Sequence, residues 1–173
     1  MKSLHIYTLV FGLLIQSVAS SQIQSVSLQA SGLTCSVCSR AIYKSLKKLP
    51  SVAKVHEDIA HSSYHIQFKD PQKVSLADLK KAVLDAGFSV AWMEVKANFN
   101  NVEVASDSAL QLDDFTFLFV DIQKQTLNGE RKLLILDKDY LLEKDRKKYA
   151  GNFESKTAAA DGERIFHVTL PQS

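Results

Sequence analysis

A chain of 173 residues has room for one domain or two small ones, and a formal charge of only +2 gives it no basic field with which to grip a nucleic-acid backbone. Its longest apolar run, residues 6–15, is too short to stay in a bilayer as a spanning helix. Met1-Lys2 before that run and Ser17-Val18-Ala19-Ser20 after it supply the basic, apolar and small-residue parts of a signal peptide. Residues 1–20 are therefore expected to be removed after Ala19 or Ser20, leaving a charge of +1 and no stable membrane insertion. Neither cysteine lies at the cleavage point, so no lipid anchor is expected. Export, to a periplasm or outside the cell, places both cysteines in an oxidising compartment. A thiol pair persists there only with a metal or a reductant.

Val26, Leu28 and Ala30 alternate with Ser27, Gln29 and Ser31, the period of a half-buried strand, and Gly32 turns the chain. Val37, Ala41, Ile42, Leu46 and Leu49 then recur at helical spacing, with Arg40, Lys44, Lys47 and Lys48 largely between them, until Pro50 stops the helix. Val52, Val55 and Ile59 predict a second strand, and Tyr64, Ile66 and Phe68 a third, with the turn at 60–63. Glu57 has the parity of the apolar face. An unpartnered buried carboxylate is costly, so it is expected near a sheet edge or with a partner. Ser75-Leu76-Ala77-Asp78 reads as a capping box opening a second helix with Leu76, Leu79, Val83 and Ala86 in one stripe, closed by Gly87. Residues 88–95 return as a fourth strand. Strand, helix, strand, strand, helix, strand is the order of a ferredoxin-like βαββαβ sandwich, over residues 22–96.

Residues 97–101, Ala-Asn-Phe-Asn-Asn, read as a linker. Beyond it, 102–106 and the aromatic run Phe115, Phe117, Phe119 predict strands, Asn128-Gly129 predicts a hairpin before a strand at 132–136, and Asp139 is expected to cap a helix at 140–149. Asp137 and Asp139 mark a turn, with too few aligned acids for a calcium loop. Residues 153–158 and 164–170 read as a last hairpin around Asp161-Gly162. Three strands, a helix and two strands predict a small β-rich, OB-like barrel over 102–173, serving partner binding or dimer formation without metal. The overall class is thus α+β.

Cys35 and Cys38 are the only cysteines, two residues apart in Gly32-Leu33-Thr34-Cys35-Ser36-Val37-Cys38, with Cys38 near the first helical turn. A helix N-terminus carries partial positive charge and favours a thiolate there. Two thiolates are soft donors, suited to Cu(I) and Hg(II), whereas structural Zn(II) sites take four ligands. The pair can equally close as a disulfide, as in thioredoxin-like proteins, but none of Pro50, Pro71 and Pro171 stands where a companion proline would face the cysteine loop. His56, His61 and His65 read as solvent-facing strand and turn residues. They become a surface Cu(II) or Zn(II) site if His56 and His65 lie across a ladder.

The cysteine segment, together with Asp85-Ala86-Gly87-Phe88 at the end of the second helix, resembles the heavy-metal-associated domain family over about residues 24–95. That family includes small copper chaperones, modules of copper-pumping ATPases and a periplasmic mercury-binding protein. The resemblance implies a ferredoxin-like fold that binds a soft metal through Cys35 and Cys38, with Cu(I) first and Hg(II), Zn(II) or Cd(II) as the other ions. Phe88 matches an aromatic beside the metal loop, and Leu33 stands where the family usually has methionine. The implied partner is a metal-transfer protein or membrane transporter. Arg40, Lys44, Lys47 and Lys48 read first as the solvated side of the first helix and alternatively as a docking face for an acidic metal-transfer partner. No nucleophile–base–orienter set is visible, so no enzyme is expected. A thiol–disulfide protein and an interaction module with an idle disulfide remain the rival readings.

Overall fold

The computed structural model describes residues 22–33, 36–149 and 164–171. The signal peptide expected at 1–20, Cys35, and the expected strand at 153–158 lie outside the described residues. The elements are β1 (Ile23–Ser31), α1 (Ser36–Lys47), β2 (Val52–Asp58), β3 (Ser63–Phe68), a 3-10 turn (Pro71–Lys73), α2 (Leu76–Asp85), β4 (Ser89–Val104), β5 (Ala109–Leu112), β6 (Phe115–Phe119), β7 (Gln125–Ile135), α3 (Glu143–Arg146) and β8 (Ile165–Thr169). The strands form one eight-stranded sheet in the order β2-β3-β1-β4-β7-β8-β6-β5.

The first four strands and two helices form the βαββαβ unit expected from the sequence. Alternation places Val26, Leu28, Val55, Tyr64, Ile66, Met93 and Val95 on one buried face. Leu76, Leu79 and Val83 of α2 are buried, as their spacing predicts, with Ala82 buried beside them and Ala86 half-buried. In α1 the buried line is Ser39, Ile42 and Leu46 instead. Val37 is 77% exposed and Ala41 is exposed as well, so the apolar stripe read from the sequence is rotated towards a serine. Ile59, expected in β2, lies past its end and is also exposed.

α2 is closed at both ends by local chemistry. Ser75 Oγ accepts from Asp78 N–H at 3.1 Å. At the other end Gly87 N–H reaches Leu84 O at 2.8 Å and Phe88 N–H reaches Val83 O at 3.2 Å, the paired bonds of a Schellman motif. Gly87 sits at φ +89°, and a Cβ there would meet nothing within 4 Å. The penalty for a side chain is therefore conformational alone, and Gly87→Ala is expected to destabilise the fold by about 1–2 kcal/mol in urea denaturation.

The linker expected at 97–101 is strand. β4 runs for 16 residues. Its Ser89-to-Ala97 stretch pairs with β1, and its Glu94-to-Val104 stretch pairs with β7. The polar, turn-like composition has a different cause: a bulge. Between Phe99 and Val102 the register slips against β7, with Asn101 at φ 51° and its Oδ1 accepting from Asn128 Nδ2 at 3.0 Å. Asn128-Gly129 is accordingly not a hairpin turn but the middle of β7, where Gly129 takes φ +68° opposite Phe99.

No barrel forms. Among the described residues β2 and β5 are free edges, so the sheet stays open and β5–β8 extend it. β8 lies parallel to β6 and antiparallel to β7. Phe115, Phe117 and Phe119 are buried, and Phe166 packs among Phe115, Phe117 and Tyr140 at ring-centre distances of 5.8, 6.2 and 5.3 Å. One contiguous apolar cluster runs from Ile23 to Val168. Ile23 N–H also donates to Asp113 Oδ2 at 3.1 Å, tying the start of β1 to the β5–β6 turn. The helix expected at 140–149 is reduced to α3, whose N-cap position is Leu142, with no side-chain cap, and not Asp139.

Candidate metal centre

Gly32 follows β1, and Leu33 after it is half-buried against the core. Cys38 is the third residue of α1 and is half-buried. The first turn of α1 contains no acidic residue; Arg40 follows two residues after Cys38, and Lys44 and Lys47 stand in the last turn. Cys38 therefore stands at the positively polarised end of the helix dipole. Ser31 pairs with Ser89 across the sheet, and Ser31 Oγ donates to Ser89 O at 3.3 Å. That pairing puts Gly32 and Phe88 at the same end of the sheet, with Phe88 half-buried against the core.

The turn carrying Cys38 is fastened from below. Ser39 is 3% exposed, and its Oγ donates to Glu57 Oε1 at 2.5 Å. Tyr64 OH lies 2.8 Å from the same Oγ and donates to Ser39 O at 3.1 Å. Glu57 on the edge strand thus has the partner its parity demands, and β2 and β3 both hold the backbone next to Cys38. Sequence parity signalled that Glu57 needed a partner; nothing in the spacing pointed to Ser39. Burial, followed by the Glu57 charge and against the Ser39 hydrogen bond, pushes the Tyr64 phenol above its ordinary range. The folded state therefore keeps that proton after the unfolded chain has lost it. Stability from this group is complete below pH about 10 and falls as pH rises through the raised value. In alkaline urea titrations the wild type is expected to lose more stability than Tyr64→Phe.

Around this turn the surface is apolar and basic. A groove of about 540 Å³ is lined by Val37, Arg40, Ala41, Lys44, Glu57 and Ile59. Arg40 also lies 5.2 Å over the Tyr43 ring.

The four histidines among the described residues separate into three environments. His56 and His65 face each other across β2 and β3, with ring centres 6.5 Å apart. Burial first, then His56, Lys96 and Lys132, holds the His65 imidazole below its ordinary pKa. His61 stands apart in the turn, with Nδ1 2.7 Å from Asp58 Oδ2. His167 is buried in β8, far along the sheet, where Asp137 Oδ1 and Oδ2 accept from its Nδ1–H at 2.9 Å and its N–H at 2.8 Å. Asp137 is thus a buried anchor as well as the turn residue read from the sequence. Among the described residues no three His, Cys, Asp or Glu side chains gather as a metal-holding group.

The sequence model of the heavy-metal-associated domain matches residues 27–89. The copper chaperone CopZ of Bacillus subtilis (strain 168) is 34% identical over 65 residues, which are 38% of this chain and 93% of that protein. The mercuric transport protein periplasmic component of Serratia marcescens is 35% identical over 65 residues, 38% of this chain and 70% of its own length. Mouse copper-transporting ATPase 1 is 33% identical over 73 residues, 42% of this chain; the chain spans only 5% of that much longer relative. Strands β5–β8 lie beyond the matched segment.

Proposed function

The chain belongs to the heavy-metal-associated domain family through residues 27–89, and on that premise we propose that it is an exported protein that binds a soft metal ion, Cu(I), between Cys35 and Cys38 and hands it to a protein partner or membrane transporter. The observation that carries the reading is the placement of Cys38: half-buried, in the first turn of α1, at the head of a helix with no acid in that turn. Thiolates so placed hold Cu(I) with few ligands, which keeps the ion exchangeable. The names of the relatives support metal handling, copper in CopZ and the ATPase, mercury in the periplasmic component. The Met1–Ser20 pattern supports export. No described helix is long and apolar enough to cross a membrane.

The apolar and basic groove beside Cys38 supports transfer. Val37 at 77% and Ile59 at 59% exposure give a partner apolar contact, and Arg40 and Lys44 give it charge to read. We read the chain as a binding and transfer protein and not as an enzyme. Cu(I) titration of the reduced and the oxidised chain tests the reading. One ion bound tightly by the reduced form and none by the oxidised form is expected. No tight binding by the reduced form, with a reversible dithiol–disulfide couple instead, would move the function to thiol exchange.

A further inference from the structure

The side of the sheet away from α1 and α2 carries a row of polar residues that the thiol site does not use. His56, His65, Ser27 and Glu94 are successive cross-strand partners on β2, β3, β1 and β4, so their side chains emerge on one face. They lie opposite in parity to the buried Val55, Ile66, Val26 and Val95. His56 and His65 border a groove of about 340 Å³ together with Ser27, Asp58, Trp92 and Lys132. Ser27, the row's member on β1, is four residues from Ser31, about 13 Å along the strand from the cysteine segment.

We propose that His56 and His65 form a second, imidazole-based site for a borderline divalent cation, Cu(II) above all. Neutral imidazole suits that class of ion, and Cu(II) stands highest among the divalent first-row metals for a given nitrogen site. A metal about 2.0–2.1 Å from one nitrogen of each ring puts the two ring centres about 4.5 Å apart for adjacent ligands and about 6.4 Å apart for opposite ones. The rings stand at 6.5 Å with planes tilted by 37°, and His56 is exposed, so a small side-chain rotation brings them to bridging distance. His65 is already oriented: its Nδ1 is 3.1 Å from Ser27 Oγ, which leaves Nε2 for the ion and supplies the outer hydrogen bond that metal-binding imidazoles usually have. The nearby cations are compensated. Lys132 Nζ is 3.1 Å from Glu94 Oε2, an ion pair whose angle falls short of a hydrogen bond, and Lys96 Nζ is 2.6 Å from Glu130 Oε2. Water completes the coordination. This site is independent of the thiols and selects a different oxidation state of copper from theirs.

The test uses the full chain with both Cys35→Ser and Cys38→Ser, so that no thiol can bind or reduce the probe, titrated with a Cu(II) salt near neutral pH and read by electron paramagnetic resonance. One Cu(II) per chain, with superhyperfine splitting from two imidazole nitrogens, is expected. Adding His56→Gln or His65→Gln should weaken binding at least about tenfold and remove the two-nitrogen pattern, while His61→Gln leaves both unchanged. His56 is exposed, so His56→Gln decides the matter even if His65→Gln disturbs the sheet. Absence of Cu(II) binding, or a two-nitrogen spectrum that survives His56→Gln, would overturn the proposal.

Discussion

Cys38→Ser is expected to weaken Cu(I) binding by more than about a hundredfold, since even residues that merely support a metal ligand are worth about 10–100-fold. Cys38 is half-buried and its neighbour Ser39 carries the bonds to Glu57 and Tyr64, so the hydroxyl substitution leaves the first turn of α1 in place. Far-ultraviolet circular dichroism should not change. Serine is the sharp control because it keeps the size and removes only the soft, ionisable donor. Cys35→Ser should have the same effect, as the two are the only thiols in the chain. Competition against a chromophoric Cu(I) chelator measures both. Near-wild-type affinity in the double variant would place the ion elsewhere and defeat the proposed function.

His167→Ala is expected to cost about 1–3 kcal/mol of folding free energy, the range for leaving a buried polar partner without its hydrogen bond. Asp137 is 2% exposed, and its carboxylate accepts from both the His167 ring and the His167 backbone. Deleting the ring leaves the buried side chain of Asp137 with the His167 backbone bond alone. The damage should fall on the far half of the sheet, because β8 is the strand that joins β7 to β6. Leu136 N–H donates to His167 O at 2.8 Å, so the segment around Asp137 and β8 would loosen together. Urea denaturation measures the loss, and a change below about 1 kcal/mol would mean that Asp137 reaches water when the ring is gone.

The first six elements were legible because each carries a clean period and its own punctuation. Ser75 and Gly87 bracket α2 by side-chain and backbone chemistry that spacing alone reveals. The helix stripe of α1 was misread where the buried position is a serine, Ser39, whose burial depends on Glu57 and Tyr64 arriving from other strands. The second half was less legible for a related reason. Asn100-Asn101 and Asn128-Gly129 have the residues of turns, yet they sit opposite one another as a bulge inside a long ladder, and only the pairing of β4 with β7 makes that a strand. The OB-like reading fails with them, since it rested on breaks at both places. At the candidate centre, Cys38 stands in the helical turn where its spacing put it. The opposition of His56 and His65 depended on a β2–β3 register that no local pattern specifies.

β4 also has a consequence for reach. Its 16 residues, at about 3.3 Å each, make a rod of about 50 Å, with the cysteine segment beside Ser89 at one tip and Val104 at the other. A cargo module strung on a flexible tether samples a cloud of positions, and its capture by a docked neighbour is governed by how thinly that cloud is spread. Here there is no tether between the thiol end and β5–β8. Whatever grasps the far strands holds the Cys38 end of the sheet at a set distance and bearing, so the second half of the sheet acts as a measuring arm.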